Sequence, residues 1–303
     1  MVSAWRNNNI WRHYFTLCKP RIVLLMLLTA WTGMYLGAQT PISWALWLCA
    51  TAGIGLMCAS AAVVNHIIDY RTDAIMERTK HRPLASGKLS RRSAWIFALI
   101  LGMSGFVILF FYVNALTAWL TLAAAIGYGA VYSLYLKQAT SQNIVIGGLA
   151  SAMPPLLGWT AVTDQLQAQG WLLVLIIFAW TPAHSWALYL HRYHEYKQTT
   201  IPMLPMTHGI SFTKFNIMLY SLLTIACSLL PYAIGMSGLF YLVSAVALGA
   251  GFVGYAVRLQ FASDGTGTDP SGQRLALKTF HYSLIYLTGL FLVILLDHHL
   301  LVT

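Results

Sequence analysis

Residues 65–84 read NHIIDYRTDAIMERTKHRPL, a densely polar run in a chain that is 58% hydrophobic and only 9% charged. The run holds three of the eight acids, Asp69, Asp73 and Glu77, and four of the eighteen Lys and Arg residues, Arg71, Arg78, Lys80 and Arg82. Ionisable groups near lipid are costly, and a chain this apolar keeps such a cluster for a reason. Asn65, Asp69 and Asp73 are spaced i, i+4 and i+8. At about 100° per residue, a step of four drifts only ~40°, so the three side chains share one helix face. Their oxygens are hard ligands suited to Mg²⁺, which keeps some waters and fills the rest of its shell with carboxylates and substrate phosphates. Just beyond them, Arg78, Lys80 and Arg82 are suited to gripping a phosphate. Oxygen ligands running into a cationic loop at the end of an apolar helix suggest a site for a metal-bridged diphosphate, with Asp69 and Asp73 on the metal. A positive cytoplasmic loop with a few helix-capping acids would explain the spacing too.

Outward from that run, the chain is built for a bilayer. Apolar runs of ~18 residues or more recur throughout its 303 residues, each long enough to cross a membrane. The expectation is an all-α, polytopic membrane protein: about nine transmembrane helices around a central cavity open to the cytoplasmic side, forming one domain over 1–303. The net charge of +10 follows topology rather than nucleic-acid binding. If the N-terminus and the loops after helices 2, 4, 6 and 8 lie on one side, all eighteen Lys and Arg residues lie there. The positive-inside rule makes that side cytoplasmic, with the N-terminus inside and the C-terminus outside. Cys18, Cys49, Cys58 and Cys227 are scattered without metal or redox spacing and read as buried thiols. The N-terminus shows no cleavable signal pattern; its first apolar run reads as a span.

Residues 1–20, with Trp5, Trp11, Tyr14 and Phe15, read as a cytoplasmic interfacial segment. Nine helices are expected at about 21–38, 42–69, 93–112, 115–136, 143–163, 170–192, 213–234, 238–258 and 278–297. Segments 69–92 and 192–213 are then cytoplasmic active-site loops, and Ser263–Gly272 a flexible connector. Helices 3 and 4 read mainly as scaffold. Met153-Pro154-Pro155 predicts a kinked cavity wall in helix 5. Helix 6 ends in a second polar cluster, His191, Arg192, His194, Glu195, Tyr196 and Lys197. The two clusters lie four helices apart on the same side, a hint of two half-sites facing one cavity. The abundant aromatic residues read first as interfacial belts and packing. Asp297 is expected to be a solvated cap on the outer side.

The string N-x-x-x-D-x-x-x-D-x-x-M-x-R-T-x-x-R-P-L, with Met76, Arg78, Thr79, Arg82, Pro83 and Leu84 in place, resembles the first aspartate-rich motif of the UbiA-type intramembrane prenyltransferases. It is closest to the branch that farnesylates haem. The resemblance covers nearly the whole chain, through Thr16–Ile22, Gln142–Gly148, Pro154–Trp159, Trp180–Leu188 and Ile201–Pro205. One departure stands in the second acidic motif, where Glu195-Tyr196 replaces the usual Asp before Tyr.

The resemblance implies Mg²⁺-dependent transfer of a farnesyl group from farnesyl diphosphate to a vinyl group of haem B, with water added, giving haem O. It implies catalytic roles for Asn65, Asp69 and Asp73. Arg78, Lys80 and Arg82 would hold the diphosphate, aided by Lys137 and Lys197 from other loops. Arg192, Glu195 and Tyr196 form the second polar group. Haem contact is assigned to His184, inside the family-like string, ahead of His66, His191, His194 and His208; His298 and His299 fall on the other side. The implied setting is a bacterial-type inner membrane, with transient contact to a haem-copper terminal oxidase or a haem-supply protein. Two rivals remain at this level. A prenyltransferase of an aromatic quinone precursor would share the Mg²⁺ site. A secondary transporter would place ionisable groups near the midplane on broken helices.

Overall fold

A computed structural model describes residues 10–199, 201–262 and 270–302. Trp5 and most of the expected Ser263–Gly272 connector lie outside them. A short helix α1, Ile10–Leu17, precedes α2, Pro20–Gly37, with proline in its first turn where no N–H is needed. Then come α3, Trp44–Ile75, α4, Arg91–Tyr112, and α5, Ala115–Ile126. Ser43, Ser90 and Asn114 cap these three helices, each accepting a backbone N–H of the first turn. α5 runs on as a π-helical segment, Gly127–Leu136, and a last turn, Lys137–Ala139. The fifth span is split at Met153 into α6, Asn143–Ala152, and α7, Pro154–Thr163, since neither Pro154 nor Pro155 can donate to the helix ladder. α8, Ala168–His191, two short helices α9, Tyr193–Lys197, and α10, Leu204–Thr207, and the long helices α11, Ile210–Ala233, α12, Leu239–Phe261, and α13, Pro270–Val302, complete the chain.

Nine stretches of the described residues are long and apolar enough to cross a membrane, as the sequence predicts. The all-helical, polytopic fold is therefore as expected. α3 packs along α4, α2 against α7, and α8 against α11 and α13. The α2–α7 contact is close because both faces carry glycine. A Cβ on Gly33 would stand 1.8 Å from the Pro155 carbonyl oxygen, and one on Gly158 1.8 Å from that of Ala30. Small residues at such crossings let apolar helices gain dispersion contacts that lipid would otherwise supply.

Four expectations need correction. The second span does not stop at residue 69 but runs to Ile75, so the loop begins at Met76 and not at 69. No glycine or proline falls between Asp69 and Ile75, and the charges of Asp69 and Asp73 are neutralised by neighbouring cations. The 192–213 segment likewise holds α9, α10 and the start of α11, and the last helix begins at Pro270 rather than at 278. Asp297 is not a solvated cap. It is buried, and its carboxylate accepts the backbone N–H groups of Gly238 and Tyr241 at the start of α12, where the helix dipole favours negative charge.

Candidate active site

The C-terminal end of α3 brings Asn65, Asp69 and Asp73 onto one buried face, as their spacing requires. Asn65 Nδ2 donates to Asp69 Oδ2 at 3.0 Å and to Ser133 Oγ at 3.0 Å. Lys137, in the last turn of the fourth span, places Nζ 2.8 Å from Asp69 Oδ2. Arg82 Nη1 donates to both oxygens of Asp73 at 2.8 Å. Thr79 Oγ1 donates to the Asp73 carbonyl at 2.9 Å, which ends the helix and folds the loop back so that Arg82 faces the acids. His66, also buried, sets Nδ1 3.9 Å from Asp73 Oδ2.

A cation that the spacing argument missed completes this face. Lys19 links α1 to Pro20 in a left-handed conformation, φ 49° and ψ 57°, and its ammonium donates to Asn65 Oδ1. A non-glycine residue in that region is uncommon and costs energy, and such residues cluster at functional sites. Burial above all, and Arg82 next, lowers the Lys19 ammonium to about 8. In the sequence, Lys19 reads only as one more positive-inside residue before a span.

Lys19, Asn65, Asp69, Asp73, Arg82 and Lys137 line a cleft of about 150 Å³, walled also by Arg78, Thr72, Met76, Tyr128, Tyr132, Tyr189, Tyr196, Ile201 and Met203. The two polar clusters thus meet in one cleft. The fourth span is more than scaffold. Its π-helical segment carries Ser133 and the stacked rings of Tyr128 and Tyr132, 5.9 Å apart and 12° from parallel. Tyr189 and Tyr196, which also line the cleft, meet edge-on at 4.8 Å. π-helical turns recur at functional sites but carry no simple sequence signature.

Not every candidate reaches the cleft. Lys80 faces water and pairs with Glu77 at 2.6 Å, and Lys197 is exposed. Neither lines the cleft, unlike Arg78, Arg82 and Lys137. Of Arg192, Glu195 and Tyr196, only Tyr196 lines it. His184 packs between the rings of Trp180 and Phe280, with Nδ1 2.7 Å from Ser283 Oγ, in the contact of α8 with α13. His191 meets the Gln273 carbonyl at 3.1 Å, and His208 meets Thr207 Oγ1 at 2.8 Å. On the other end, Tyr35 contacts both His298 and His299.

The donor set fits a hard divalent cation shared with a phosphate. Among the described residues no three His, Cys, Asp or Glu side chains gather into a metal cage. Two carboxylates and an amide oxygen on one face match Mg²⁺, which takes few protein ligands and leaves room for waters and phosphate oxygens. Four cations line the same cleft as the two carboxylates, so its excess charge is positive and suits an anion.

Beside the cleft lies a narrow apolar chamber, lined among others by Ile22, Val23, Met26, Pro154 and Leu157. Lys19 and Tyr128 border both spaces. A charged pocket joined to an apolar one inside a helical bundle defines a class of protein: an integral-membrane enzyme for an anionic head on an apolar tail. Residues 26–296 match the model of the UbiA prenyltransferase family, and the chain belongs to that family. It is 53% identical to a protein of Marinobacter nauticus named protoheme IX farnesyltransferase, over 96% of this chain and 94% of that one. A Pseudoalteromonas atlantica protein named protoheme IX farnesyltransferase 2 is 52% identical over 96% and 92%. The fold is shared with a UbiA homologue from Archaeoglobus fulgidus solved with DMAPP and Mg²⁺, at a TM-score of 0.67 and 17% identity over 93% of this chain and 98% of the other. A structure concerned with digeranylgeranylglyceryl phosphate synthase gives 0.76 at 19% identity, over 95% and 98%.

Proposed function

We propose that this chain transfers the farnesyl group of farnesyl diphosphate to a vinyl group of protohaem IX, with addition of water, to give haem O. The observation that carries the reading is the cleft itself: Lys19, Arg78, Arg82 and Lys137 around Asp69 and Asp73, opening beside an apolar chamber. The relatives named protoheme IX farnesyltransferase support the haem acceptor.

The diphosphate head lies among Lys19, Arg82 and Lys137, whose charge offsets that of the leaving group as the allylic C1–O bond breaks. Asp69 and Asp73, with Asn65, would hold Mg²⁺, which supplies further neutralisation of the departing diphosphate, worth several kcal/mol. The bonding pair leaves with the diphosphate oxygen. The vinyl terminal carbon bonds to C1 of the farnesyl group, the carbon next to the porphyrin ring takes the oxygen of water, and one proton is released. No protein nucleophile is needed. Ser133 Oγ is engaged by Asn65 and donates to the Tyr128 carbonyl at 3.2 Å. The tyrosine walls and the chamber keep bulk water from the allylic cation until the new C–C bond has formed. The farnesyl tail lies in the chamber, past Tyr128.

Orientation follows from charge. The cleft is at the end of the bundle that carries the Lys and Arg residues, so it opens to the cytoplasm of an inner membrane, with the N-terminus inside. The transporter alternative loses support, because the ionisable cluster lies at helix ends and the broken fifth span carries no ionisable residue from Asn143 to Thr163. Contact with a terminal oxidase or a haem-supply protein belongs to the same reading, as the route by which haem enters and product leaves.

The test is to give the purified chain protohaem IX, farnesyl diphosphate and Mg²⁺, with and without a chelator, and weigh the porphyrin. A gain of farnesyl plus water that the chelator abolishes is expected. Prenylated 4-hydroxybenzoate in a parallel tube, with unmodified haem in the first, would overturn the acceptor and keep the site.

A further inference from the structure

His66 sits inside the acidic face without a hydrogen bond of its own. It lies seven residues before Asp73 on α3, two helical turns that return to nearly the same face, and it is only 3% exposed. Among the described residues, neither of its ring nitrogens has a hydrogen-bond partner. A neutral imidazole carries one N–H donor and one bare nitrogen acceptor. Buried and unpaired, such a donor has given up water and gained nothing in return. Folded proteins seldom keep a group in that condition unless it serves a strain, an ion or a chemical step.

The nearest acid shows what the imidazole serves. Its Nδ1 stands 3.9 Å from Asp73 Oδ2, so a shift of about 1 Å makes an ordinary hydrogen bond. Both Asp73 oxygens are engaged by Arg82 Nη1 at 2.8 Å. A divalent cation on Asp73 competes with that guanidinium for the same lone pairs. The Arg82 side chain lines the cleft and is 25% exposed, so it can turn to a phosphate oxygen; that of Asp73 is 8% exposed and held by its helix. A carboxylate that gives one oxygen to a metal is itself hydrogen-bonded, and that bond sets its orientation. Among the described residues, Arg82 and His66 are the basic side chains within ion-pair distance of Asp73. Once Arg82 turns away, the imidazole is the donor left beside the carboxylate.

We propose that His66 is a positioning residue for Asp73. When Arg82 turns to the diphosphate, His66 donates Nδ1–H to the oxygen that Arg82 releases, and so keeps the other oxygen directed at Mg²⁺. His66 does not line the cleft, and therefore acts through Asp73 without touching metal or substrate. The assignment rests on the metal-bridged diphosphate site proposed above and adds to it a residue outside the metal's own ligands.

Calorimetric titration of Mg²⁺ into the full-length chain, with inorganic diphosphate present, reads the cation without any turnover. Loss of a residue that orients a metal-bound carboxylate typically weakens metal affinity about ten- to hundredfold. His66→Leu should show that loss, yet unfold no lower than wild type without metal, because an apolar side chain of similar size replaces an unpaired imidazole. His66→Asn puts an amide nitrogen where Nδ1 stands and should recover most of the affinity. His66→Gln, whose amide nitrogen falls nearer the position of Nε2, should not. Unchanged Mg²⁺ affinity in His66→Leu would overturn the assignment and leave the site standing. Equal affinity in the Asn and Gln variants would do the same, and decides the matter should the leucine variant not fold. Wild type that takes up no Mg²⁺ with diphosphate would overturn the metal-bridged site itself, and the role of His66 with it.

Discussion

Lys19 shows how a residue can hold a central place in a site without announcing it. Its neighbours in sequence make it the start of a span; only the left-handed turn before Pro20 brings its ammonium to Asn65. Asn65, Asp69 and Asp73 were legible because helical periodicity alone puts them on one face. Arg82 and Lys80 looked equivalent in the sequence. The fold of the loop after Thr79 separates them, sending Arg82 to Asp73 and Lys80 to Glu77 at the surface. Lys19→Met should therefore raise KM for farnesyl diphosphate about ten- to a hundredfold, the scale of one charged hydrogen bond. Lys80→Met should leave it within about twofold, as expected for an exposed ion pair worth no more than ~1 kcal/mol. Initial rates at varied diphosphate concentration check both. Asp69→Asn should keep the fold, judged by gel filtration and circular dichroism, and lower turnover about a thousandfold, since it removes metal-assisted stabilisation of several kcal/mol.

At the scale of the element, the sequence located nine spans, and of the two that depart from plain helix it announced only one. The proline pair predicted the break at Met153. The π-helical segment Gly127–Leu136, packed against α3 and α6, left no comparable mark, because no proline falls within it. Gly147 lies at one of those contacts: a Cβ there would stand 2.2 Å from the Tyr132 ring. Gly147→Ala should displace that ring from the cleft wall and lower kcat with a smaller change in stability. Gly158→Ala, meeting the Ala30 carbonyl on α2, acts on the scaffold instead. Overpacking of this kind costs typically 1–3 kcal/mol, seen as a lower unfolding temperature in detergent.

For the whole molecule, hydropathy and the distribution of Lys and Arg were enough to give a polytopic bundle and its orientation. The meeting of the two polar clusters was foreshadowed by their placement four helices apart; their distances were not, since those depend on the packing of helices far apart in the sequence. Orientation is checked with single cysteines in a background where Cys18, Cys49, Cys58 and Cys227 are replaced by serine. Ser86→Cys and Gln165→Cys place exposed thiols on opposite ends of the bundle. A membrane-impermeant maleimide added outside spheroplasts should label position 165 and spare 86. The central claim is that one electrostatic site, Asp69 and Asp73 amid Lys19, Arg82 and Lys137, holds a metal-bridged diphosphate. Calorimetric titration of the purified chain with inorganic diphosphate tests it most directly. The account predicts binding that requires Mg²⁺ in wild type and is lost in the Asp69→Asn, Asp73→Asn double variant; equal binding without metal, unaffected by that variant, would contradict it.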